Sequence, residues 1–98
     1  MRIVIAEDLL LLRDGLVRLL TDTGHTVLAA VGSAPELLAA VAEHGPDLSI
    51  VDVRLPPGFR DEGLRAALAM RAAGPGARVL ILSQYVERAY AADLLADG

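Results

Sequence analysis

The sequence predicts an α/β fold: a doubly wound parallel sheet with helices on both of its faces. Three observations carry that prediction. Four short apolar runs of strand length, at residues 3–6, 26–31, 47–51 and 78–82, are spaced along the chain. Between them lie longer stretches whose apolar residues recur at helical spacing, and glycine or proline separates many of the pieces. Strict alternation of strand and helix makes the crossovers right-handed and the strands parallel.

Ile3-Val4-Ile5-Ala6 is continuously apolar, the pattern of a strand buried on both faces. Leu9, Leu12, Leu16, Leu19 and Leu20 then form the core stripe of a helix. Arg13, Asp14 and Arg18 fall on its other side, and Gly24 stops it. Residues 26–31 read as the second strand. Ser33 or Ala34 opens the second helix, with Pro35 suited to its first turn and Gly45-Pro46 closing it. The third strand, residues 47–51, ends at Asp52. Leu55-Pro56-Pro57-Gly58-Phe59-Arg60 breaks regular structure through two prolines and a glycine. A third helix spans about residues 61–73 and stops at Gly74-Pro75-Gly76. A fourth strand at 78–82 and a fourth helix at 86–96, with Gly98 as a cap, complete the chain.

Ninety-eight residues suffice for one domain with a single core, and only three aromatics leave that core to Leu, Val, Ile and Ala. A net charge of −4 argues against an extended phosphate-backbone surface within this chain, while leaving DNA binding to another domain of a longer protein open. The absence of cysteine excludes disulfides and thiolate metal sites. Glu7 and Asp8 interrupt the first apolar stretch before a signal-peptide core forms, and no run reaches the length of a membrane span. All nine basic residues are arginine; the chain has no lysine.

Two strands finish on acids: Glu7-Asp8 follows the first, Asp52 the third. In parallel α/β sheets the site lies beyond the carboxyl ends of the strands, where strand order reverses. Three carboxylates gathered there repel one another unless one is protonated or a cation lies between them. An all-oxygen cluster favours a hard cation such as Mg2+. Ser83, after the fourth strand, points at the same crevice. The plainer alternatives are Glu7-Asp8 as acids at the start of a helix, Asp52 as a turn residue and Ser83 as a loop hydroxyl.

These residues, in this order, resemble the receiver domain of two-component response regulators over the whole of residues 1–98. The resemblance rests on Glu7-Asp8, on Asp52 with Pro56 four residues on, and on Ser83. Leu-Arg-Asp-Gly-Leu from Leu12 to Leu16 and Asp-Glu-Gly at 61–63 resemble receivers that precede a LuxR-type helix-turn-helix output. The resemblance implies a single domain with a flavodoxin-like sheet of strand order 2-1-3-4, its fifth strand and last helix missing. It implies that Asp52 accepts a phosphoryl group from a sensor histidine kinase. Asp8 and Asp52 would bind Mg2+, Glu7 would hold it through water, and the backbone carbonyl of Arg54 would add a ligand. Ser83 would be the phosphate-sensing switch. The resemblance further implies a cytoplasmic signalling domain rather than an enzyme, reaching DNA only through a separate output domain.

The sequence departs from the family pattern at several points. The family's lysine after the fifth strand pairs with the phosphate, and no lysine is present here. The family's aromatic switch residue on that strand is missing too, and Tyr85 and Tyr90 lie elsewhere. Gln84 stands where a small residue is usual, and Gly63 comes about three residues late. Without a fifth strand, the fourth would be an apolar edge, which predicts a homodimer, segment exchange or lowered stability. Two alternatives remain: an interaction module independent of phosphorylation, and an aspartyl-phosphate hydrolase. The second lacks its usual aspartate two residues after the nucleophile, where Arg54 stands. Leu10 and Leu11 exceed what the first helix needs for its stripe. Either one lies exposed beside the crevice and docks the kinase, or both pack under the loop. Arg54 and Tyr85 tune water access or are simply exposed, and His25 and His44 are read as solvated turn residues.

Overall fold

The computed structural model describes residues 1–56, 60–74 and 76–82. Ser83, Gln84, Tyr85, Tyr90 and the expected fourth helix lie outside the described residues. The elements are β1 (Arg2–Ala6), α1 (Leu10–Asp22), β2 (Thr26–Val31), α2 (Ala34–His44), β3 (Leu48–Asp52), α3 (Glu62–Ala73) and β4 (Val79–Leu82). The strands are all parallel and ordered β2-β1-β3-β4, as expected. Among the described residues β4 pairs only with β3.

The side-chain period of two divides the core. Val4, Ala6 and Val51 face α2 and α3, joining Leu37, Ala40, Leu55, Ala66 and Met70. Ile3, Ile5 and Ile50 face α1, packing on Leu16, Val17 and Leu20. Continuing the same alternation by one step sends residues 7 and 52 toward the α1 face. The register sets Ala6 against Val51, so Glu7 and Asp52 end neighbouring strands at one level.

Local signals explain the helix ends. Ser33 caps α2, accepting from the Glu36 amide at 3.4 Å while its hydroxyl donates to Glu36 Oε1 at 2.8 Å. At the far end of α2, Arg2 donates to the carbonyls of His44 (2.9 Å) and Gly45 (3.2 Å), placing a cation on the helix C-terminus. Asp47, expected within the third strand, precedes it; its carboxylate accepts from the Arg2 amide at 2.8 Å. His25 and His44 are half-buried rather than fully solvated, and the His25 ring nitrogen Nδ1 meets the N-terminal ammonium at 3.1 Å.

Candidate metal centre at the carboxyl end of the sheet

Glu7, Asp8 and Asp52 each bring a carboxylate oxygen within 4.8 Å of the others. The three acids predicted from two separate strand ends therefore share one site. Glu7 is 1% exposed and Asp52 9%; Asp8 is half-buried. Burial pushes the Asp52 carboxyl above its usual range, and the charge of Asp8 adds to the rise. The Arg54 amide, a hydrogen bond with Glu7 and the Arg54 guanidinium pull it back down. Such crowding of like charge in a partly dry site is what a divalent cation relieves.

The turn after β1 is held by polar contacts. The Glu7 amide donates to Val31 O on β2 at 2.9 Å. The Leu9 amide donates to Glu7 Oε1 at 3.1 Å. Arg13 Nη1 donates to Glu7 O at 3.4 Å. Part of the helix-start alternative therefore holds for Glu7, which takes up one amide at the entry to α1, where the N-cap residue Leu9 offers no side-chain acceptor. Arg13 corrects the expected placement: it is half-buried and turned to the acid loop, whereas Asp14 and Arg18 are exposed. The signal was present, because Arg13 sits three residues before Leu16 and four before Val17, both packed on the core, whereas Leu9 and Leu19 of the expected stripe are exposed.

The turn after β3 is built differently. The Arg54 amide donates to Asp52 Oδ1 at 3.2 Å, which keeps the Arg54 backbone beside the Asp52 carboxylate. The Val53 amide donates to Leu82 O at 2.9 Å, so the end of β4 lies alongside. Leu55 is fully buried in the core and anchors the loop from below. Gly63, in the first turn of α3, donates its amide to Val53 O at 2.9 Å. The late position of Gly63 thus leaves α3 seated on the end of β3.

The donor set fits Mg2+. Every side-chain ligand is an oxygen, and two direct ligands of that ion stand at most about 4.2 Å apart. Oxygens gathered within 4.8 Å of one another are close enough to share one such ion. Leu9, Leu10 and Leu11, beside the acids, are 52%, 63% and 90% exposed. Both Leu10 and Leu11 thus lie in the open, and neither packs under the loop. Together with Asp8 and Leu12 they line a cavity of about 530 Å³.

A four-stranded parallel sheet with an acid cluster at the reversal of strand order defines a class of α/β site protein. The family model for the response regulator receiver domain matches residues 3–98, and the chain belongs to that family. The oxygen regulatory protein NreC of Staphylococcus haemolyticus is 33% identical over 99 residues, covering all of this chain and 45% of that protein. The chain thus spans about half the length of the curated relatives it matches. A LuxR-family two-component response regulator from Aurantimonas sp. SI85-9A1 superposes with a TM-score of 0.75 at 31% identity, over 84% of this chain and 57% of that one. A LuxR-family DNA-binding response regulator from Staphylococcus aureus gives 0.76 at 25% identity, over 92% and 78%. The chain is therefore a signalling receiver akin to those of LuxR-family regulators. Among the described residues no helix is long and apolar enough to cross a membrane.

Proposed function

We propose that Asp52 accepts a phosphoryl group from the phosphohistidine of a sensor histidine kinase, with Mg2+ held by Asp8, Asp52, the Arg54 carbonyl and, through water, Glu7. The observation that carries this reading is the convergence of three carboxylates, one wholly buried, at a single strand-end site. An Asp52 carboxylate oxygen bonds to phosphorus as the P–N bond breaks; the phosphohistidine ring, already protonated on its other nitrogen, keeps that proton and the P–N electron pair and leaves as neutral imidazole, and Asp52 becomes an acyl phosphate. Asp52 is a weak nucleophile, so its contribution is position: the Arg54 amide fixes Oδ1. Bound Mg2+ supplies neutralisation of the charge on the phosphoryl oxygens.

Ser83 is proposed to sense the phosphoryl oxygens. In a longer protein the change would pass to a separate DNA-binding output in the cytoplasm. The exposed Leu9-Leu10-Leu11 patch beside the acids supports docking of an apolar kinase surface. Incubation with acetyl phosphate and Mg2+, read by mass spectrometry, tests the acceptor: the unsubstituted chain gains one phosphoryl group and Asp52→Asn gains none. Equal labelling of Asp52→Asn overturns the assignment. Leu11→Asp should leave labelling by acetyl phosphate intact and slow labelling by the kinase; equal kinase rates would remove the docking patch.

A further inference from the structure

A glycine in a helix costs about 1 kcal/mol relative to alanine, so one held in the first turn of α3 calls for a reason. Gly63 is buried, and its Cα faces the last peptide of β3. A Cβ built there would fall far inside van der Waals contact with the Asp52 carbonyl oxygen. It would also lie 2.8 Å from the Asp52 carbonyl carbon and 3.0 Å from Val53 O. These are backbone atoms, so no rotamer change relieves the overlap; either α3 or the segment 52–54 must shift. That segment carries both the acceptor carboxylate and the Arg54 backbone, and the Gly63 amide already bonds to Val53 O.

We propose that Gly63 is a positioning residue for the metal centre. Its missing side chain lets α3 abut the end of β3, and that seat sets the Asp52 carboxylate and the Arg54 carbonyl against Glu7 and Asp8. The inference rests on the reading of these acids as an Mg2+ site and adds a residue that touches none of the ligand atoms. A displacement of a few tenths of an ångström at residue 52 is enough to matter, because Mg2+ accepts little departure from octahedral geometry. Thermodynamic linkage makes the effect reciprocal: if the seat of α3 tightens metal binding, metal binding tightens the seat by the same factor.

The test is an Mg2+ titration of the 98-residue chain followed by amide NMR shifts, with thermal unfolding run in parallel. Gly63→Ala should weaken Mg2+ binding by about 10- to 100-fold, the range found when groups supporting metal ligands are lost. Ala69→Gly, on the exposed side of the same helix, serves as the control: it costs about 1 kcal/mol through helix propensity and should leave the Mg2+ dissociation constant within about twofold. Affinity in Gly63→Ala equal to that of the unsubstituted chain overturns the inference while leaving the metal site standing. Failure of the unsubstituted chain to bind Mg2+ overturns both. If Gly63→Ala does not fold, hydrogen exchange on the unsubstituted chain decides. Mg2+ should slow exchange of the Gly63 amide, bonded to Val53 O, and leave the Gly74 amide, bonded to Met70 O, unchanged. An unaltered Gly63 rate overturns the inference.

Discussion

The two loops that carry the acids reach the same end by opposite means. The β1–α1 loop, residues 7–9, is short and tied by hydrogen bonds: Glu7 to Val31, Leu9 to Glu7, and Arg13 to Glu7. Its Leu9 lies in solvent, as do Leu10 and Leu11 at the start of α1. The β3–α3 loop, residues 53–61, is long; it too has hydrogen bonds at its ends, Val53 to Leu82, Arg54 to Asp52 and Gly63 to Val53, but adds packed fixed points, the buried Leu55 and the seat of Gly63 on the β3 end. A short loop has few conformations to lose, so a handful of hydrogen bonds of roughly 1 kcal/mol each holds it. A long loop loses more entropy on closing and needs a packed anchor. The site joins one loop governed by polar geometry to another governed by packing.

Leu55→Ala is the strongest way to break that contrast. Leu55 is fully buried among Val4, Ala6, Leu37, Val51 and Met70, and truncation of such a side chain costs about 2–5 kcal/mol. Leu9→Ala, in the short loop, should cost under about 0.5 kcal/mol, because Leu9 is 52% exposed. Urea unfolding should show a large fall in midpoint for the first and almost none for the second. Equal shifts would mean that the short loop is packed as the long one is.

A second prediction concerns the point where the loops meet. In the metal-free protein Asp52→Asn should raise stability at pH 7, read as a Tm above that of the unsubstituted chain. Asparagine keeps an oxygen to accept from the Arg54 amide and removes a charge that burial and Asp8 disfavour. The folded-state value of Asp52 lies above its unfolded value, so its ionised form opposes folding above that range. The gain should therefore shrink as pH falls through the raised value and be gone below the ordinary carboxylate range, where Asp52 is protonated in both states. Saturating Mg2+ should shrink it or reverse its sign. A loss of stability in the metal-free protein at pH 7 would show that the acids attract a partner stronger than their mutual repulsion.

The same contrast explains what the sequence discloses. Elements and topology were legible, since Ile3-Val4-Ile5-Ala6 and Leu48-Ser49-Ile50-Val51 are strand-length apolar runs and alternation with helices leaves little choice of arrangement. Glu7, Asp8 and Asp52 were legible because a strand end fixes where the next residue goes. Arg13 was assigned to the wrong face: its charge suggested solvent, but its stripe position and the Glu7 carbonyl decided otherwise. The role of Gly63 was hidden because contact between a helix and a peptide ten or eleven residues earlier leaves no periodic trace. Its place in the Asp-Glu-Gly stretch and the cost of a glycine inside a helix marked the position without disclosing what it does. The residues of the short loop announce themselves by chemistry, whereas those of the long loop act through the space they leave.

The smallest effect sharpens the comparison at the exit of the long loop. Asp61 precedes α3 as its N-cap residue yet makes no capping hydrogen bond. Its Oδ1 instead accepts from Arg65 Nη2 at 2.7 Å and Nε at 3.0 Å. The Arg65 guanidinium holds the Asp61 carboxyl below its ordinary value of 3.8. A depressed carboxyl contributes stability above its unfolded value and loses it as pH falls through the folded one. Arg65→Gln should therefore be slightly less stable than the unsubstituted chain at neutral pH, and the difference should vanish on acidification below about 3.8. Both side chains are substantially exposed, so the effect should be small and should also disappear in 1 M salt, where charges are screened over about 3 Å. A difference that survives both acid and salt would assign the Arg65 side chain a packing role at the start of α3, and the loop exit would then be packed like the rest of the β3–α3 connection.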